Sequence, residues 1–423
     1  MRLLISAGEA SGEMYGAQLI EALRRRIPDL ECFGVGGERM QAAGCGLIVQ
    51  SKELAVVGIT EILPRLPKIF GEFRKLVRAI EERKPDAAVL IDSPAFHFKV
   101  ARELKLRGIP VIYYVAPQLW AWRSGRVRLV RRYFKKALVI FPFEEQWYRE
   151  RGVDAEYVGH PLADLGRPAT SRIEFAGRYG LNPARDWIAL LPGSRHREVR
   201  ANLLTMVKGA FSLQVPEAVQ LAFEAAKSKG ADSLEQLKTA LKLEETTGAE
   251  VAQLEKMWQQ HGGEYEFLLP VASMLDLNWV HRFLGATLFP IRLVRDSAAA
   301  LAYARAAVVA SGTATVEAAM MDTPMVVVYR VSPLTWTLGR PLVHVKNFAM
   351  VNLIVGKQAV PELIQADFTP ENVAAKLREI LPDSPVREKM KADLAQVRAR
   401  LKSGSDSGSA ADRAADAVLR TLA

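Results

Sequence analysis

The chain has 423 residues, 49% apolar and 25% charged, which is the composition of a globular protein with large cores and more than one ordinary domain. Its two cysteines, Cys32 and Cys45, stand in no Cys-x-x-Cys and exclude a disulfide scaffold or a zinc module, and no stretch reaches the ~20 apolar residues of a spanning helix. The net charge of +10, with seven Lys or Arg in residues 122–136 and no nucleic-acid module beside them, points to a phosphorylated substrate or an anionic membrane surface rather than nucleic acid.

The first residues, MRLLISAGEASGE, carry too short an apolar run for a signal peptide and read as a strand at 3–7, with a helix over 14–26. Strands follow at 31–35, 87–91, 111–115 and 136–140, the last ending in a turn at Pro142. Such alternation means βαβ units and a parallel sheet. In residues 62–78 (ILPRLPKIFGEFRKLVR), Ile62, Leu63, Leu66, Ile69, Phe70 and Phe73 recur at helical spacing among Arg65, Lys68, Arg74, Lys75 and Arg78. That pattern reads as a core-facing helix or as an interfacial docking element. Pro64 and Pro67 argue for an irregular start to it.

At 166–172 the chain turns polar around Pro168, the expected interdomain linker, and a second α/β series begins at 187. The expected division is a first Rossmann-like lobe at 1–168 and a second at 169–402. A Ser/Gly-rich linker with a helix follows at 403–423, open to packing back on the first lobe. Residues 211–263 break the rhythm and read as a helical surface insertion, with a partner-binding element as the alternative.

Two junctions in the second series carry chemistry. IALLPGSR ends in Gly193, Ser194 and Arg195, and AAVVASGTATVEAAM turns at Ser311, Gly312 and Thr313. Small residues there let backbone N–H groups at a helix start approach an anion closely. One such turn is ordinary; two in one domain, one with a guanidinium, suggest a diphosphate at the strand ends. No Gly-x-Gly-x-x-Gly follows the first strand and no P-loop occurs, which excludes the usual dinucleotide oxidoreductases and P-loop NTPases. No Asp-x-Asp clamp for a metal is present either.

Four blocks taken together resemble the lipid-A-disaccharide synthase family: GEASGEMYG (8–16), IDSP at Asp92 with PQLWAWR (117–123), LLPGSR (190–195), and SGTATVEAAM through VNLIVGKQAVPELIQ (311–365). The resemblance spans the chain apart from 211–263. It implies an α/β fold of two Rossmann-like lobes (GT-B type) and an inverting, metal-free glycosyltransferase without cofactor. Such an enzyme moves a diacylglucosamine from UDP onto diacylglucosamine 1-phosphate in lipid A biosynthesis. It also implies a cytoplasmic protein, peripheral on the inner membrane, and leaves a homodimer open. Another UDP-sugar transferase, a UDP-sugar epimerase, or an inactive nucleotide-sugar-binding membrane protein are the alternatives.

Under that resemblance Asp92, at the end of an apolar strand, is the candidate base for the acceptor hydroxyl, and Arg195 the cation for the leaving diphosphate. Glu9, Ser11 and Gly12 would line the acceptor side. Asn352, Glu362 and Gln365 match the uridine- and sugar-contacting stretch, and Glu317 is a further candidate for a ribose diol. His160, in GHPLAD, sits where the lobes join. In Ala95-Phe96-His97 the chain departs from the family's common Asp-Phe-Asn at Ala95 and His97 and keeps the phenylalanine. No supporting carboxylate stands there, and His97 is left to replace it or to pack.

Overall fold

The computed structural model describes residues 1–54, 59–164, 166–213, 265–272, 275–284, 291–332, 336–337, 347–402 and 408–422, with the backbone alone at Ala10 and over 59–66. The first half builds β1 (Arg2–Ala7), α1 (Ala10–Arg26), β2 (Glu31–Gly36), α2 (Glu38–Ala42), β3 (Gly46–Gln50), α3 (Ser51–Leu54) and α4 (Ile59–Arg83). It continues through β4 (Ala87–Ile91), α5 (Pro94–Leu106), β5 (Val111–Tyr114), α6 (Val127–Tyr133), β6 (Lys136–Val139), α7 (Pro142–Arg149) and β7 (Ala155–Tyr157). These strands form one parallel sheet in the order β3-β2-β1-β4-β5-β6-β7.

The second half builds α8 (Arg172–Tyr179), β8 (Asp186–Leu191), α9 (His196–Phe211), β9 (Tyr265–Pro270), α10 (Leu277–Leu284), β10 (Ile291–Val294), α11 (Ser297–Tyr303) and β11 (Ala306–Ala310). Then come α12 (Thr313–Met320), β12 (Met325–Tyr329), α13 (Met350–Val355), β13 (Glu362–Ile364), α14 (Pro370–Ile380), α15 (Pro385–Lys402) and α16 (Ala410–Leu422). Its sheet is also parallel, in the order β10-β9-β8-β11-β12-β13.

Leu3, Leu4 and Ile5 in β1, and Ala307, Val308 and Val309 in β11, have no exposed surface on either face. Helices cover both sides of each sheet, which is why these strands are apolar throughout and do not alternate. Full burial of each Leu or Ile contributes roughly 1.5–3 kcal/mol. One continuous apolar cluster runs from β1 and α1 through β8 and β11 to α16 and joins the two lobes. Helix α16 returns from the second lobe to α1, where Arg26 pairs with Asp416 at 2.5 Å and with Asp412 at 3.0 Å. Lys135 donates to the Thr421 carbonyl at 2.6 Å on the same face.

In both sheets the chain runs outward in one direction and then in the other, from a central strand: β1 lies between β2 and β4, and β8 between β9 and β11. Loops leaving such a pair diverge and open a crevice at the strand ends. Glu9 follows β1 and Asp92 follows β4; Arg195 follows β8 and Ser311 follows β11. The irregular start expected from Pro64 and Pro67 is not what forms: α4 is helical from Ile59 to Arg83. The segment 214–264, with most of the helical insertion read from the sequence, lies outside the described residues.

Candidate active site

Asp92 and Ser93 leave β4 with φ of +55° and +45°, an uncommon left-handed pair for residues with side chains, costing about 1–2 kcal/mol each. Hydrogen bonds hold the turn. The Asp92 N–H donates to the Tyr114 carbonyl at 3.1 Å. The Asp92 carbonyl accepts the Tyr113 hydroxyl at 3.0 Å and His97 Nδ1 at 2.6 Å. A carbonyl only accepts, so Nδ1 carries the proton, and His97 Nε2 accepts from the Ser6 hydroxyl at 2.8 Å. His97 has no exposed surface, and burial pulls its pKa down to about 4, so it stays neutral. It stands as a backbone support for Asp92 and brings no second charge.

The Asp92 carboxyl is pushed up to about 6, first by burial and then by the Glu9 carboxylate, against the Ser93 N–H and Arg195, which lower it. Glu9 in turn accepts from Arg195 Nη2 at 2.6 Å, a contact from one lobe to the other. Both side chains are more than 40% exposed, so the pair contributes only about 0–1 kcal/mol. The guanidinium is therefore free to exchange that carboxylate for a diphosphate at little cost. Three strands' ends thus bring Glu9, Asp92 and Arg195 together.

The amides of the first phosphate-type turn are already in use. Ser194 and Arg195 N–H donate to Glu198 Oε2 at 2.9 and 3.3 Å, so the helix start of α9 is capped from within. Gly193 makes this possible: its φ is +124°, and an added Cβ would lie 2.5 Å from Glu198 Cβ. The second turn is different. Gly312, at φ +148°, faces open space, and α12 has no side-chain cap. Ser311 spends its hydroxyl on the Phe348 carbonyl at 2.7 Å, which ties the turn to the chain before α13; Thr313 is exposed at the helix start. Glu317 lies inward on α12, accepts from Ser297 Oγ at 2.7 Å, and has its pKa raised by burial and by Asp296.

Asn352, Glu362 and Gln365 meet the chain itself. Asn352 has no exposed surface; its Nδ2 donates to Glu362 and the Val360 carbonyl, and its Oδ1 accepts from Ala359 and Val360. Glu362 accepts from the Phe348 and Ala349 amides at 2.8 and 2.9 Å, at the start of α13. Gln365 pairs both ends of its amide with the Val331 backbone. Among the described residues these three position the 348–349 segment and Val331, and Glu362 and Gln365 stay partly exposed. Ser11 and Gly12 lie in the first turn of α1, Ser11 half-buried and Gly12 buried against Ile91. His160 is buried between Tyr15 and Phe141, accepts the Leu162 N–H, and is held neutral by burial, which brings its pKa to about 3.

Residues that pattern reading passed over also shape the cleft. Glu198 was legible as an acid three places after a helix start. Tyr113 and Ser6 carried no such signal, because each reads as strand core. Tyr15 is buried where the charges of Asp92 and, from the other lobe, Glu317 both act on it. A hollow of about 380 Å³ opens between the lobes, lined by Trp120, Phe143, Trp147 and Leu353 together with Gln146 and Glu150. Trp120 is anchored there by its indole N–H on the buried Glu144 at 2.9 Å.

On α4, Phe70 is 53% exposed and stacks on Phe73, which packs edge-on against Phe96; Ile69 is half-buried. The side chains of Ile62 and Leu66 lie outside the described residues. Among the described residues no helix is long and apolar enough to cross a membrane.

Solved structures similar to this one share its fold. A UDP-GlcNAc 2-epimerase from Neisseria meningitidis bound to UDP-GlcNAc superposes with a TM-score of 0.61 at 11% identity, over 100% of this chain and 99% of that one. The calicheamicin glycosyltransferase CalG4 gives 0.55 at 16%, over 100% and 98%. Sequence is more specific. A lipid-A-disaccharide synthase from Koribacter versatilis is 50% identical over 99% of this chain and 98% of its own, a match that runs through 211–263. The enzyme of that name from Myxococcus xanthus is 40% identical over 100% and 97%. The family model for lipid-A-disaccharide synthetase matches residues 3–258 and 285–416. With two parallel, doubly wound lobes facing each other across Asp92 and Arg195, the chain belongs to the lipid-A-disaccharide synthase family of glycosyltransferases.

Proposed function

We propose that the protein transfers a 2,3-diacylglucosamine from UDP onto 2,3-diacylglucosamine 1-phosphate, forming lipid A disaccharide 1-phosphate and UDP. The observation that carries this is the meeting of Asp92 and Glu9 from one lobe with Arg195 from the other. The Asp92 carboxylate takes the proton of the acceptor hydroxyl as its oxygen attacks the anomeric carbon. The bond from that carbon to the diphosphate oxygen breaks on the opposite face, and inversion follows. The electron pair stays on the UDP oxygen, where Arg195 and the uncapped amides of α12 meet its charge without a metal. Glu317 faces the ribose side with the oxygen that Ser297 leaves free. Asn352, Glu362 and Gln365 act through the backbone that they hold.

A carboxyl with a pKa near 6 suits this work: it is ionised at neutral pH yet basic enough to accept a proton in the transition state. The aromatic hollow between the lobes suits an acyl chain, and exposed Phe70 suits docking at the cytoplasmic face of the inner membrane. The test is direct. Purified protein given both acylated sugars should release UDP and disaccharide in equal amounts, with no loss in EDTA. Consumption of the UDP-sugar without a disaccharide would mean hydrolysis or epimerisation, and magnesium rescue after EDTA would refute the metal-free route.

A further inference from the structure

The C-terminal half of α4 borders a second hollow, of about 290 Å³, over the β3 edge of the first sheet. Ile48 and Ala79 form its apolar floor; Gly71, Arg74, Arg78 and Arg83 stand around it. No atom of the described residues lies within 4 Å of where a Cβ on Gly71 would be. Lys75 and Glu82 also reach it, and Lys75 is paired with Glu72 at 2.7 Å. Four cations therefore face two carboxylates.

The three arginines are not spent on ion pairs. Arg74 lies over the Phe70 ring at 4.6 Å and Arg83 over Phe33 at 5.1 Å. Among the described residues none of the three has a carboxylate within ion-pair reach. A concave site with surplus guanidinium charge selects a phosphate, for which several arginines supply planar donor pairs. Its place says which phosphate. Phe70, Arg74 and Arg78 follow one another at four-residue steps on one helix face. Arg74 is thus about 6 Å along the axis from the exposed Phe70. A bilayer's headgroup layer is about 5–7 Å thick on each side. Because the Arg74 guanidinium lies over the Phe70 ring itself, a ring seated among the headgroups brings the mouth of the hollow to their phosphates. The reaction cleft, by contrast, is at the C-terminal ends of β1 and β4.

We propose that this hollow seats the phosphate of an anionic phospholipid headgroup and so fixes the first lobe's orientation on the bilayer. The inference rests on the membrane-docking reading above and adds a defined site to it. The experiment uses the full-length protein, sedimented with phosphatidylcholine vesicles that either contain or lack phosphatidylglycerol. Wild type should prefer the phosphatidylglycerol vesicles. The R78Q/R83Q double variant should lose about 25-fold in affinity for them, at about fivefold per cation. It should unfold cooperatively with at most the small loss of the Arg83 contact on Phe33 and keep wild-type turnover on detergent-dispersed substrates.

A control that removes the same charge elsewhere, R102Q/K105Q on α5, should lose much less. Equal losses in the two variants would mean diffuse attraction and would overturn the seat. Failure of wild type to bind any vesicle would instead overturn the docking reading itself. Two further results would overturn the lipid assignment. One is inorganic phosphate at millimolar concentration blocking vesicle binding as well as the double substitution does. The other is a raised KM for the acceptor in detergent, which would make this the acceptor's phosphate site.

Discussion

His97 offers the sharpest test of how the turn at Asp92 is held, because its two nitrogens serve different partners and can be removed separately. His97→Ala deletes both hydrogen bonds and leaves the Ser6 hydroxyl orphaned in a sealed space; the Asp92 carbonyl keeps Tyr113. An unsatisfied buried group costs about 1–3 kcal/mol, and the cavity adds to it, so a stability loss of about 2–4 kcal/mol is expected. The lost bond to Asp92 nets about 1 kcal/mol, the same size as the left-handed strain that it opposes. The turn can then relax, and a carboxylate displaced by ~1 Å costs up to ~10²-fold in rate. His97→Asn places an amide N–H where Nδ1 was, since both nitrogens are bonded to Cγ. It should recover turnover to within about fivefold of wild type while remaining less stable. His97→Gln reaches towards Ser6 instead and should recover stability without rate. Steady-state transfer and urea unfolding on the three variants read both quantities. The pH midpoint near 6 should stay in place, because His97 does not titrate there. An Asn variant as slow as the Ala variant, or rate recovered by Gln, would refute the support role.

Asp92→Asn should lower transfer by about 10²–10⁴-fold and leave UDP binding intact, and wild-type turnover should rise with pH through about 6 and then level; a flat profile between about pH 5 and about pH 8 would dismiss Asp92 as the base. Its folded pKa is raised, so the native state holds a proton that the unfolded chain has lost between about pH 4 and 6, and wild-type stability falls across that window. The Asn variant should therefore gain about 1–3 kcal/mol over wild type above it and nothing below it, read by urea titration at both ends. Arg195→Ala should weaken UDP binding about 10–100-fold by calorimetry and lower turnover as well, and an unchanged UDP affinity would place the guanidinium elsewhere. Gly193→Ala puts a Cβ against Glu198 and strains the turn, for an expected cost of about 2–4 kcal/mol in urea; a variant as stable as wild type would show that Glu198 moves freely. Phe70→Ser should release the protein from vesicles with stability changed by less than about 0.5 kcal/mol, whereas Phe73 packs on Phe96 and its replacement should cost stability. Unaltered vesicle binding by the Phe70 variant would remove it from the docking surface.

The order of strands and helices was legible because both sheets are covered on two faces, so β1, β4, β8 and β11 had to be apolar without alternation. The turns at Gly193 and Ser311 were legible too, since small residues at a strand-to-helix junction answer to local backbone geometry. What pattern could not reveal is which polar atoms are free. Asn352, Glu362 and Gln365 were named by motif as ligand contacts, and only the fold shows that they also hold the 348–349 amides, residues 359–360 and Val331. His97 reads as a core or turn residue, and its use depends on Ser6, 91 positions away in sequence. Glu9 and Arg195, 186 positions apart, meet only because two switch points face each other across the lobes. Periodicity and turn chemistry are set within a few residues of chain, whereas a hydrogen-bond partner is set by whichever side chain long-range packing brings within 3 Å, and that choice is made only in the folded molecule.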